Sequence, residues 1–314
     1  MLRCAILDDY QNVALALADW SAVRATSFSR HFASEDALVE AIGDFEVVMM
    51  MRERTPFPAS LFARLPNLRL LITSGMRNAS IDLDAARAHG VTVCGTGSAS
   101  TPPAELTWAL ILGLTKHVVP EATSMRNGGP WQSTIGADLH GSTLGLLGLG
   151  KIGGQMARIG QAFGMDVVAW SHNLTADRAS SLGVRLAPSK ESLLAESDVV
   201  SVHLVLGDRT RGLLGAGELA LMKPTAYLIN TSRAAIIDQT ALVEALRTDR
   251  IAGAGLDVFD TEPLPVDHPL RTLPNVLATP HLGYVTGANY RTYFREAVQD
   301  IDAFLAGSPI RLLT

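Results

Sequence analysis

Cysteine is nearly absent from this 314-residue chain: only Cys4 and Cys94 occur, each in or beside a short apolar run. That excludes a disulfide-stapled scaffold and reads as two free core thiols, at home in a reducing cytoplasm. Aromatic residues are sparse at 6% and charged residues amount to 18%, whereas 47% are hydrophobic, the composition of a globular chain rather than a disordered or fibrous one. Basic charge is not in surplus, since 26 Lys and Arg face 31 Asp and Glu for a net charge of −5. The field that nonspecific nucleic-acid binding needs is therefore missing. The longest apolar run at helical spacing, Trp108 to Leu114, meets Thr115 and Lys116 far short of the roughly 20 residues of a membrane span. The opening Leu2-Arg3-Cys4-Ala5-Ile6-Leu7 reaches Asp8 and Asp9 too soon for a signal-peptide core. Neither nucleic acid nor membrane is expected as a partner, and no metal site is expected.

At roughly 150 residues per domain the length predicts about two domains. Short apolar runs at Cys4 to Leu7, Glu46 to Met51, Arg69 to Thr73 and Val91 to Cys94 alternate with helical periodicity at Glu35 to Ile42 and Asp82 to His89. Such alternation predicts an α/β lobe with a parallel sheet wrapped by helices. Ser100-Thr101-Pro102-Pro103 reads as a cap and first turn, opening a long apolar helix to His117 that crosses between lobes. After a Gly, Pro and Trp loop, further strands are expected at Thr143 to Leu147, Val167 to Trp170, Val199 to His203, Ala226 to Asn230, Gly255 to Val258 and Val276 to Ala278. This second lobe reads as a doubly wound sheet. The last helix, Asn289 to Leu305, is expected to return to the first lobe, so the expected domains are 1–99 with 285–314, and 100–284.

Gly148-Leu149-Gly150-Lys151-Ile152-Gly153 follows a strand and precedes a helical stretch. In that context Gly148 permits a tight turn, Gly150 lets backbone approach a pyrophosphate, and Gly153 lets the helix pack on the strand. The same pattern without a ligand would be a glycine-rich turn; the strand and helix around it favour a dinucleotide. An NAD site of this kind carries an acid about 20 residues on, yet the second strand ends in Ser171-His172-Asn173. The neutral tip removes the repulsion that rejects a 2′-phosphate, while no Arg or Lys follows until Arg178. NAD(P) is expected, with a slight lean to NADP.

Three more motifs stand in order: Asn230-Thr231-Ser232-Arg233, Leu256-Asp257-Val258-Phe259-Asp260-Thr261-Glu262-Pro263, and Thr279-Pro280-His281. Each places ionisable groups just past a strand, where open α/β sheets bind ligands. Singly, each has a plain structural reading, as a solvated charge or a turn cap. Together with the glycine loop they make nearly the whole chain resemble the D-isomer-specific 2-hydroxyacid dehydrogenase family.

The resemblance implies a Rossmann dinucleotide-binding domain (100–284) and a flavodoxin-like substrate domain (1–99 and 285–314). It implies that Arg233 binds the substrate carboxylate, that His281 is the acid/base and that Glu262 is its carboxylate partner. Ketone reduction needs a proton as the hydride arrives, and a carboxylate favours the imidazolium that delivers it. Gly148 to Gly153, Ser171, His203, Thr231 and Asp257 are the implied cofactor contacts, and Arg52, Gly75, Met76 and Arg77 the implied substrate contacts, the last three through backbone N–H groups. For each Arg a surface salt bridge is the competing reading, and helix-dipole stabilisation accounts for Glu105.

Ala234 stands where the family commonly has Gly, and Val205 where it often has Pro. Trp131 and His140 are candidates to line a pocket, with hydrophobic packing or a dimer contact as the alternative for the tryptophan. The chain ends at Thr314, so no C-terminal regulatory domain is expected. A homodimer acting as a glyoxylate- or hydroxypyruvate-type reductase follows from the resemblance, and the two free thiols place it in the cytoplasm as an expectation. The rivals are a relative acting on phosphoglycerate or formate, and a dinucleotide-sensing binding protein similar to corepressors on this fold.

Overall fold

The computed structural model describes residues 1–313. The chain divides into two compact units, one of Met1–Ala99 with the stretch from Val285 onward, the other Ser100–Tyr284.

The first unit holds five parallel strands, β1 (Arg3–Ile6), β2 (Arg24–Ser27), β3 (Val47–Met50), β4 (Leu70–Thr73) and β5 (Thr92–Gly95), in the order β2-β1-β3-β4-β5. This is the flavodoxin-like order. Every residue of β3 and β4 is buried, because helices cover both faces of a parallel sheet and leave no polar side for alternation. Strand β2 is an edge strand, half exposed and spelled Arg-Ala-Thr-Ser, so it carries no apolar signal and the sequence pattern passed over it. The helix Glu35–Ile42 starts where Ser34 caps Ala37 N, carries Glu35 and Asp36 in its first turn, and buries Leu38 and Ile42.

The helix Gly287–Leu305 packs in this same unit, burying Tyr290, Tyr293, Phe294, Ala297 and Ile301 at helical spacing. Its Glu296 carboxylate accepts from Gly97 N at 2.6 Å, and its Asn289 side chain accepts from Ala99 N at 3.0 Å.

On the inner face of that helix Asp300 is wholly buried; Oδ1 accepts from Arg311 Nε at 2.9 Å, and among the described residues Oδ2 accepts no hydrogen bond. Burial pushes its carboxyl up to about 7, against the pull of Arg311 and with a push from Glu296. The folded chain thus keeps a proton that the unfolded chain releases near pH 4, and stability contributed by that proton falls as pH rises from about 4 to about 7. Asp300→Asn removes the titration. The variant's Tm minus that of the wild type is expected to grow between pH 5 and pH 7 and then level off, at about 2–4 °C per kcal/mol. A difference that stays flat across this range would contradict the assignment.

The second unit has seven parallel strands: β6 (Thr143–Leu147), β7 (Asp166–Trp170), β8 (Arg185–Leu186), β9 (Val199–Val202), β10 (Tyr227–Asn230), β11 (Gly253–Leu256) and β12 (Val276–Ala278). Their order is β12-β11-β10-β9-β6-β7-β8, the doubly wound Rossmann arrangement with a further strand at one edge, and winding reverses between β6 and β9. Alternation along β6 serves both faces. Leu144 and Leu146 join Trp108, Ile111, Met156 and Ala157 on one side, and Leu147 joins Val200, Val202 and Leu228 on the other. Gly145 is small by need, since a Cβ there would collide with Ser197 and lie 2.8 Å from Leu193.

Several expectations are corrected here. The helix expected from Pro102 to His117 runs Thr101–Thr115; His117 turns left-handed at φ 50°, and a separate helix Val118–Arg126 follows. Ser100 does not cap with its side chain: its backbone is already near-helical, and its hydroxyl accepts from Gln155 Nε2 at 3.2 Å. Trp131 is not packed in the chain but 79% exposed. Among the described residues no helix is long and apolar enough to cross a membrane.

Candidate active site

All strands of the second unit end at one edge, and the ladder fixes which ends are neighbours. Asn230 is level with Leu256, and Leu256 with Ala278; Leu147 is level with both Trp170 and Val202. The residues that follow these positions therefore stand in a row: Ser171 after β7, Gly148 after β6, His203 after β9, Thr231 and Arg233 after β10, Asp257 after β11, and Thr279 to His281 after β12.

At the reversal of winding, Gly148 takes φ 103° and donates to Trp170 O at 2.9 Å. A Cβ on Gly148 would lie 2.7 Å from His203 O, and one on Gly153 would collide with Gly148 O. Gly150 differs: nothing lies within 4 Å of where its Cβ would be. It is the N-cap of the helix Lys151–Ala162, and no side chain occupies that cap. The first-turn N–H groups thus face open space at the positive end of a helix, a cradle that fits a pyrophosphate. Leu149 is buried and Ile152 half-buried in the core below, while Lys151 is exposed. These side chains anchor the loop and leave its backbone to the ligand.

His203 is held neutral. Burial lowers its pKa to about 4, and Nε2 sits 2.8 Å from the buried Ser201 hydroxyl. Thr107 Oγ1 donates to Pro103 O at 2.7 Å, so in the 2.7 Å contact between Thr107 and Thr231 hydroxyls Thr231 is the donor. Ser201 and Thr107 are partners that sequence reading missed, since a hydroxyl inside an apolar run gives no signal.

Buried Asn230 shapes the next loop, donating to Arg233 O at 3.0 Å and accepting from Ser232 N at 3.0 Å. Half-buried Arg233 donates from Nη1 to Ser232 O at 2.8 Å. Asp257, also buried, accepts from Thr279 Oγ1 and Leu282 N, both at 2.7 Å, and from Gly283 N at 2.8 Å. Burial raises its carboxyl above the usual range; these three bonds and the charge of His281 act in the opposite direction. Asp257 thereby ties down the segment in which His281 adopts the left-handed φ of 53°. The resemblance implies a cofactor contact at Asp257; both its carboxylate oxygens accept from the His281 loop.

Glu262 and His281 meet directly. Glu262 Oε1 accepts from Phe259 N at 2.9 Å, which aims Oε2 at His281 Nδ1, 2.7 Å away. The imidazole also rests against the edge of Tyr284, with ring centroids 5.2 Å apart. With Nδ1 engaged by the carboxylate, Nε2 has no hydrogen-bond partner among the described residues and is available to a reacting group. Among the described residues no cluster of His, Cys, Asp or Glu could hold a metal ion.

In the first unit, Arg52 follows β3 at φ 53° and donates from Nη1 to Ser74 O at 3.2 Å, with Nε 3.6 Å from Glu53. Gly75 takes φ 92°, and a Cβ there would overlap the Arg52 guanidinium. Met76 and Arg77 are exposed. In the same unit Asp8, buried at φ 57°, accepts from Thr55 Oγ1 at 2.6 Å and from Tyr10 OH at 3.1 Å, while Arg54 donates to its carbonyl at 2.9 Å. This network was not anticipated. Its signal was the Asp8-Asp9 pair directly after an apolar strand.

Residues 108–283 match the model of the D-isomer specific 2-hydroxyacid dehydrogenase NAD-binding domain. A glyoxylate reductase of Aeropyrum pernix is 40% identical over 256 residues, covering 79% of this chain and 76% of that protein. A D-3-phosphoglycerate dehydrogenase of Bacillus subtilis is 37% identical over 83% of this chain, which spans 50% of that longer protein. Among solved structures, a putative D-3-phosphoglycerate dehydrogenase from Ralstonia solanacearum superposes with a TM-score of 0.93 at 36% identity, covering 99% of this chain and 96% of that one. The fold and the row of strand-end residues thus define an oxidoreductase with a nicotinamide dinucleotide-binding domain. The chain belongs to the D-isomer-specific 2-hydroxyacid dehydrogenase family.

Proposed function

We propose that the protein interconverts a small 2-keto acid of the glyoxylate or hydroxypyruvate kind and its D-2-hydroxy acid, and that it accepts NADP(H) as well as NAD(H). The observation that carries this reading is the 2.7 Å Glu262–His281 pair, on the same sheet edge as the open cradle at Gly150. The reductase name of the Aeropyrum relative supports the choice of substrate.

A dihydronicotinamide supplies the hydride. Backbone N–H groups of Gly148 to Gly153 would hold the dinucleotide phosphates, and Ser171 would stand nearest the adenosine ribose. Arg233 takes the substrate carboxylate through paired N–H donors and polarises the adjacent carbonyl. His281 delivers its Nε2 proton to the carbonyl oxygen as the carbon is reduced, and accepts it back in oxidation. Glu262 fixes the ring and its tautomer through Nδ1, while Asp257 keeps its loop in place.

A homodimer is supported by the apolar stretch that the helix Val118–Arg126 and the following loop expose, including Met125, Trp131 and Ile135. A cytoplasmic home is supported by the two free thiols, Cys4 and Cys94, both buried and pushed up to about 12.

Oxidation of NADPH and NADH, followed by absorbance with a panel of 2-keto acids, tests the reading. Turnover is expected with glyoxylate or hydroxypyruvate, and none with any 2-keto acid would refute it. Ser171→Asp places a carboxylate where the 2′-phosphate would be read, so the ratio of kcat/KM for NADPH over NADH is expected to drop about 10-fold or more. An unchanged ratio would show that other residues select the cofactor.

A further inference from the structure

The tip of β7 has no acid to accept a ribose hydroxyl, and it has no Arg or Lys to bind a phosphate in its place: the residues are Ser171, His172 and Asn173. The first Arg or Lys after it comes from the next helix, Ala176–Ser180, which packs against the helix that follows the glycine loop. Leu174 N bonds to Ser171 O at 3.1 Å to turn the chain, and Thr175 caps Arg178 N at 3.2 Å to start the helix. Ala179 is buried in the same core as Met156 and Ala157 of the helix Lys151–Ala162. With that anchor set, the neighbouring Arg178 lies over the first turn of the glycine-loop helix. Its Nη2 is 3.9 Å from the place a Cβ on Gly154 would occupy.

Arg178 is exposed, and its guanidinium makes no hydrogen bond or ion pair among the described residues. Leu182 Cδ1 is the other atom near that Gly154 position, so the missing side chain leaves the guanidinium room against the helix. Its donors are not committed to any acid.

We propose that Arg178 is the residue that binds the 2′-phosphate of NADP(H). This rests on the proposed acceptance of NADP(H) and supplies its anchor. In a Rossmann site a carboxylate at the second strand reads the 2′-hydroxyl, whereas a nearby arginine accommodates the 2′-phosphate. A guanidinium presents planar, paired donors that match phosphate oxygens, which an ammonium does only as a point charge.

The test is equilibrium binding by calorimetry, without substrate, of NADP⁺, NAD⁺ and 2′,5′-ADP to the wild type and to Arg178→Ala, Arg178→Lys and His172→Ala. Arg178→Ala is expected to weaken NADP⁺ and 2′,5′-ADP by about 10- to 100-fold, the loss of one charge-assisted contact, and to leave NAD⁺ within about twofold. Arg178→Lys is expected to recover part of the loss. Equal weakening of NAD⁺ and NADP⁺, or no change in either, would overturn the proposal. So would a selective loss on His172→Ala in place of Arg178→Ala, which would move the phosphate to the strand tip. A wild type that binds NAD⁺ but not NADP⁺ would overturn the acceptance of NADP(H) along with it. A wild type that binds NADP⁺, with an Arg178→Ala variant that binds it equally well, would overturn only the role of Arg178.

Discussion

His281→Ala is expected to lower kcat for both ketone reduction and alcohol oxidation by about 10²- to 10⁴-fold, the usual contribution of a positioned general acid or base. Dinucleotide binding should persist, because the glycine loop and Ser171 belong to other strands and share no hydrogen bond with the imidazole. The two directions need opposite forms of the ring. Reduction uses the imidazolium and should fall as pH rises, whereas oxidation uses neutral imidazole and should rise with pH. Glu262→Gln keeps the shape of the 2.7 Å contact to Nδ1 but replaces the carboxylate that fixes the ring and its tautomer, so kcat is expected to fall in both directions while dinucleotide binding holds. Steady-state rates across pH 5 to 9, with chemistry shown to limit turnover by a deuterated cofactor, check both statements. An unchanged kcat in the Gln variant would end the idea that Glu262 acts through His281.

Arg233→Ala is the second large effect. The loop is shaped by Asn230, whose two side-chain bonds go to the backbone of Ser232 and Arg233, so truncating the arginine leaves the fold of the loop in place. On the proposed reading, what disappears is the donor pair for the substrate carboxylate. Losing a charge-assisted contact of about 2–3 kcal/mol lowers kcat/KM by roughly 30- to 150-fold. Arg233→Lys should recover little, because a single ammonium cannot supply two parallel bonds to a planar carboxylate. Measuring kcat/KM for the preferred keto acid alongside the Kd of the dinucleotide separates the cases. Near-wild-type turnover by folded Arg233→Ala would remove this residue from the site.

Buried strands such as Val47-Val48-Met49-Met50 and Leu70-Leu71-Ile72-Thr73 were legible because a doubly covered parallel sheet demands continuous apolar side chains. The edge strand Arg24–Ser27 and the helix Val118–Arg126 were not legible. The first is half exposed and the second buries none of its residues, so neither leaves an apolar period to read. The same division runs through the site. Gly148, Gly150 and Gly153 could be read one by one, since each answers a local demand of turn, ligand approach or packing, and the neutral Ser171 tip was plain from the composition of one strand end.

By itself the sequence determined the α/β class, the glycine loop and the types of ionisable residue that follow each strand, because those are local properties of backbone freedom and apolar period. Only the tertiary structure decided how those residues are used. Glu262 faces Nδ1 of His281, Asp257 spends its oxygens on the His281 loop, and Arg178 returns to the glycine helix. Each of these depends on parallel strands distant in sequence being set level by the ladder. Hydrogen bonds among side chains at strand ends are contacts of geometry rather than of pattern, so no periodicity announces them.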